Sequence, residues 1–102
     1  SPQISPLSLS PVIQRVEVVR DEDELTDEIK LTGQHFPLQP RYAQIFLDGQ
    51  MCYGHQTTVF QDGTAETLFH IPDLKEFKKK STHTLSMTTP FGSTFTQFQG
   101  GN

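Results

Sequence analysis

The chain has 102 residues, enough for one domain that buries roughly two-thirds of its unfolded surface and too few for two. Its formal net charge of −4 offers nothing to a phosphate backbone, so nucleic acid is not an expected partner of this domain alone. A single cysteine excludes an internal disulfide, and no apolar run approaches the roughly 18 residues that would span a bilayer, so membrane insertion is not expected.

Residues 1–11 place Pro at positions 2, 6 and 11 among serines and read as a semi-rigid Ser/Pro-rich linker to another part of a longer polypeptide. From Val12 to Arg20, β-branched residues alternate loosely with charged ones, as in a first or edge strand. The acidic run Asp21–Glu24 follows, and then Glu28–Gly33 alternates strictly, with Ile29 and Leu31 on one face. Gly33 is expected to let the chain turn sharply, with Phe36 plugging the end of the core before Pro37 and Pro40 break the ladder. Tyr42–Leu47 is the clearest strand, with Ala43, Ile45 and Leu47 inward and Tyr42, Gln44 and Phe46 outward; Asp48-Gly49 closes it with a turn. Gln56–Phe60 and Thr64–Ile71 flank Asp62-Gly63, a strong hairpin signal, and Pro72 stops the second strand. Asp73–Lys80 can form at most a short helical turn. His83–Thr88 and Thr94–Phe98 make a final hairpin around Pro90 and Gly92, and residues 99–102 are expected to form a flexible tail. About seven short strands and no substantial helix predict an all-β, immunoglobulin-like antiparallel β-sandwich over residues 12–98, with a closed small barrel as the structural alternative.

The residues that could carry chemistry are few. The acidic stretch around 21–28 supplies hard oxygen ligands of the type calcium prefers, but it lacks the glycine turn and alternate spacing of a calcium loop and reads as a solvated connection. His35, His55, His70 and His83 show no helical metal spacing; two could meet across a sheet, and His70 is out of phase with Thr67, Phe69 and Ile71 and so points to the surface. Cys52 has only His55 nearby as a base and reads as a small core residue. Lys75, Lys78, Lys79 and Lys80 form a solvated basic loop anchored by Phe77. Thus no catalytic residue, metal site or cofactor is expected. The best surface feature is aromatic: Tyr42, Phe46 and Tyr53 on or near one outward strand face.

Several landmarks together suggest a family. Ile29-x-Leu31-x-Gly33-x-x-Phe36, Ile45-Phe46-Leu47-Asp48-Gly49, Phe69-His70-Ile71-Pro72, Leu85-x-Met87 with Phe91-Gly92, and a closing Phe95-x-x-Phe98 resemble the IPT/TIG family of immunoglobulin-like domains. These domains occur in plexins, certain transcription factors and bacterial surface proteins, and the resemblance implies a sandwich with a non-enzymatic role and no catalytic residue to transfer. The expectation is therefore a protein-interaction or spacer module whose partner is another protein or a neighbouring domain. A carbohydrate- or ligand-binding accessory domain is the runner-up, and a DNA-associated domain is third because the charge opposes it.

Overall fold

Alternation decides the layers. In β2 (Asp27–Gln34) every second residue is buried, so Ile29 and Leu31 face inward while Glu28, Lys30 and Thr32 face out. The same period runs through β6 (Thr64–His70), with Ala65, Thr67 and Phe69 inward, and through β7 (Thr82–Thr89), with His83, Leu85, Met87 and Thr89 inward. The computed structural model describes residues 9–20 and 27–100, and among them the chain also forms β1 (Val12–Arg20), β3 (Gln44–Leu47), β4 (Gln50–Cys52), β5 (Gly54–Val59) and β8 (Gly92–Gln99). Among the described residues, helical geometry is limited to one turn, α1 (Leu74–Phe77), a 3-10 turn at Pro40–Tyr42 and the 3-10 geometry of Leu9, and no helix is long and apolar enough to cross a membrane.

Two antiparallel four-stranded sheets result, in the orders β1-β2-β6-β5 and β4-β3-β7-β8. That is the strand order of an immunoglobulin sandwich, four strands facing three, with one further strand beside β3. The count is thus eight where the sequence predicts about seven. The additional strand is β4, only three residues long, which the Asp48-Gly49 turn folds directly back onto β3 so that Leu47 pairs with Gln50. Positive φ at both Asp48 (51°) and Gly49 (83°) gives the turn the handedness that matches strand twist.

Between the sheets, Ile29, Leu31, Ala65 and Phe69 from one side meet Ile45, Leu47, Leu85 and Met87 from the other. Phe36 closes the core as predicted, Phe77 ties α1 to it, and Cys52 fills it from β4.

Four sequence expectations change. Gly33 makes no turn: it lies within β2, where a Cβ would sit 1.8 Å from the Val12 carbonyl oxygen, so it serves close approach of β1. The reversal comes two residues later, at His35, whose φ is +63°. Tyr42 is not in a strand, because Pro40 opens a 3-10 turn that ends on it and β3 begins at Gln44. Nor does the tail begin at 99, since Gln99 pairs with Thr82 and the Gly100 N–H donates to the Ser81 carbonyl. Residues 1–8 of the linker, 21–26 of the acidic stretch and 101–102 lie outside the described residues. The described end of the linker packs: Pro11 is buried, and the Ser10 hydroxyl donates to the Phe91 carbonyl at 3.0 Å.

Candidate functional site

The two sheets present different outer surfaces. On the β1-β2-β6-β5 sheet, Arg15, Glu17, Lys30 and Glu66 lie in a linked set of ion pairs, with Arg15–Glu17 at 2.7 Å and Lys30 3.8 Å from both Glu17 and Glu66. On the β4-β3-β7-β8 sheet there is no such set, because none of its strand residues is Asp, Glu, Lys or Arg. In a chain with 12 acidic and 8 basic residues this leaves one whole face without fixed charge. Register places Met51, Phe46, Ser86 and Phe95 in one row across it. Phe95 is 64% exposed and Met51 39%, whereas Phe46 is half-buried. Threonine, serine and glutamine surround the row: Thr84 and Gln97 on one side, Gln44, Thr88 and Ser93 on the other.

Of the three aromatic residues singled out in the sequence, Phe46 alone belongs to this row. Tyr42 stands at the end of the sandwich, where it lines an apolar groove of about 270 Å³ with Leu9, Phe36, Pro37, Pro90 and Phe91. Its hydroxyl accepts a 3.2 Å hydrogen bond from Arg41, whose guanidinium also lies 5.0 Å from the ring centre. Tyr53 is the single residue linking β4 to β5, where the chain crosses from one sheet to the other, and it is 78% exposed. No aromatic pairing joins Tyr42, Phe46 and Tyr53 among the described residues. Sequence reasoning missed Phe95 and Met51; the run from Thr82 to Gln99, which carries no Asp, Glu, Lys or Arg, could have pointed to Phe95, while Met51 joins the row only through the register of β4 with β3.

A second cluster lies on the outer face of the charged sheet. Glu28 on β2 pairs in register with His70 on β6. The next strand, β5, shifts register between Gly54 and Gln56, so His55 is the extra residue of a β-bulge, and the bulge turns it toward the same row. His55 Nε2 lies 2.5 Å from Glu28 Oε2, the imidazole N–H donating to the carboxylate, and the His55 ring stacks on that of His70 with centres 4.7 Å apart and planes 21° from parallel. Ligand atoms of all three residues fall within 4.8 Å of one another. The outward position of His70 is as the sequence predicts, and the meeting of two histidines across a sheet is realised here.

His35 and the lysines of the 75–80 loop are exposed, whereas His83 and Cys52 are internal. His83 is fully buried, stacked on Phe77 at 3.8 Å, and its Nδ1 donates to Asp48 Oδ2 at 2.7 Å; the carboxylate can only accept, which fixes the proton on Nδ1. Burial pushes the Asp48 carboxyl upward, but the His83 hydrogen bond, the Thr84 N–H at 2.9 Å and attraction to His83 and Lys80 outweigh it and hold the group below its ordinary range. Burial raises the Cys52 thiol to about 11, which keeps it protonated and removes the nucleophilic character that a Cys52–His55 pair would need. His55, for its part, is engaged with Glu28.

No family model matches the chain, and no curated protein or solved structure matches it.

Proposed function

We propose that this domain is a non-catalytic protein-interaction module, and that its working surface is the uncharged outer face of the β4-β3-β7-β8 sheet. The observation that carries the reading is the Met51–Phe46–Ser86–Phe95 row, with no Asp, Glu, Lys or Arg in any of the four strands that bear it. An exposed phenylalanine on a sheet contributes little to folding, while an apolar row rimmed by neutral hydrogen-bonding groups is the composition of an interface core. Desolvating such a face costs less than desolvating the ion-paired face of the other sheet. The occupant that fits is a protein surface with an apolar centre and no excess charge, on a neighbouring domain or a separate partner. The IPT/TIG resemblance supports a binding or spacing role of this type and names no residue of its own.

A glycan is the second reading, favoured by the hydroxyl and amide side chains that ring Phe46 and Phe95. One experiment addresses both. A photo-crosslinking residue at Ser86, the centre of the row, is compared in native extract with the same group at Thr32 on the charged sheet. The proposal expects a defined protein adduct from position 86 alone, lost in the Phe95→Asp variant. Equal adducts from both positions, or none from position 86 with binding on a glycan array that Phe95→Asp abolishes, would overturn it.

A further inference from the structure

We propose that Glu28, His55 and His70 form a divalent transition-metal site of the zinc class that clips the edge strand β5 to β6 and β2. The donor set is two imidazoles and one carboxylate, which suits zinc and its neighbours and ill suits calcium or magnesium, whose ligands are oxygens. The three residues come from three adjacent strands, so an ion bound by all of them would cross-brace the sheet from the outside.

Two features favour a site over a chance meeting. A regular β5 would not add a residue between Gly54 and Gln56; the bulge supplies one, and that residue is His55. The His55 and His70 rings lie together beside the Glu28 carboxylate, with the three donor atoms within 4.8 Å on one side of the sheet, where solvent offers the ion a path; the nitrogen lone pairs lie in the ring planes, so one ring turns out of the stack to share an ion. Binding needs only side-chain adjustment. Ligands about 2.0–2.2 Å from a common tetrahedral ion lie roughly 3.3–3.6 Å apart, so the His55–Glu28 hydrogen bond opens by about 1 Å, within the 4.8 Å span of the three donors. His55 and His70 are exposed, and rotation of such side chains is inexpensive. Three protein ligands leave at least one position for water or for a group from outside.

The test uses the untagged chain titrated with zinc chloride, following thermal stability, amide exchange of β5 and the imidazole nitrogen shifts of His55 and His70. The proposal expects a rise in melting temperature, slowed exchange at Gln56–Thr58 and shifts at both rings, with no response to magnesium. It expects His55→Ala and His70→Ala each to weaken zinc binding at least about tenfold, Glu28→Gln to weaken it as well, and His35→Ala to leave it intact. Unmoved His55 and His70 resonances at millimolar zinc would overturn it, as would a zinc effect that survives in the double variant of His55→Ala with His70→Ala. Because the ring resonances are read in the unsubstituted chain, the test stands even if a variant folds poorly.

Discussion

Asp48 and His83 show how one residue can hold a buried polar partner. Asp48 receives the His83 Nδ1–H and the Thr84 N–H from a turn whose positive φ aims its carboxylate back at β7. Removing its charge leaves the fully buried imidazole with a weaker acceptor, and Asp48→Asn should cost about 1–3 kcal/mol. The pH dependence follows from the direction of the shift. Since the folded carboxyl is held below its ordinary value, its stabilisation is complete above the ordinary carboxylate range and is lost as pH falls through the lowered folded value. Urea midpoints of wild type and Asp48→Asn should therefore differ at neutral pH and converge in acid; a constant difference would show that the carboxylate charge is not involved. In the core, Leu85→Ala should cost about 2–5 kcal/mol by chemical denaturation, the range for a fully buried leucine. Phe36, Cys52 and Phe77 were legible in the sequence because large apolar or small thiol side chains between turn signals have few other places to go. The role of Gly33 was not, because it depends on where the Val12 carbonyl oxygen passes on another strand.

At the level of elements, the strands followed from period-two alternation, the β3-β4 and β5-β6 hairpins from Asp-Gly dipeptides, and the β7-β8 hairpin from Pro90 and Gly92. The Asp48-Gly49 turn can be tested by Gly49→Ala: the added Cβ meets nothing within 4 Å, so any loss comes from the left-handed backbone alone and should be about 1 kcal/mol. A much larger loss would mean that the turn packs against something. What the sequence hid were elements defined by register. Gln50–Cys52 is too short to show a pattern, and it becomes a strand only because the turn delivers it to β3. The meeting of Glu28, His55 and His70 is equally non-local, since His55 reaches the row only through an inserted residue in β5. Four histidines scattered in sequence give no sign of which two will stack.

For the whole molecule, the sandwich and its mixed surface were legible as composition, while the segregation of charge between the sheets emerged only when the strands were sorted into layers. Residues Arg15, Glu17, Lys30 and Glu66 lie on one sheet, and the other has no Asp, Glu, Lys or Arg in its strands. If the uncharged face is kept for binding and not for folding, Phe95→Ser should alter stability by no more than about 0.5 kcal/mol, as for an ordinary surface change, while removing partner contact. A loss of several kcal/mol in the same denaturation experiment would assign Phe95 to the core. The most direct measurement uses the only two methionines, one in the row and one in the core: Met51 is 39% exposed and Met87 fully buried. Peroxide oxidation of each is followed by mass spectrometry, in the purified chain and in the protein within its native cellular assembly. The interaction reading predicts that Met51 oxidises readily in the purified chain and is protected in the assembly, while Met87 resists in both; Met51 oxidising equally fast in both settings would contradict it.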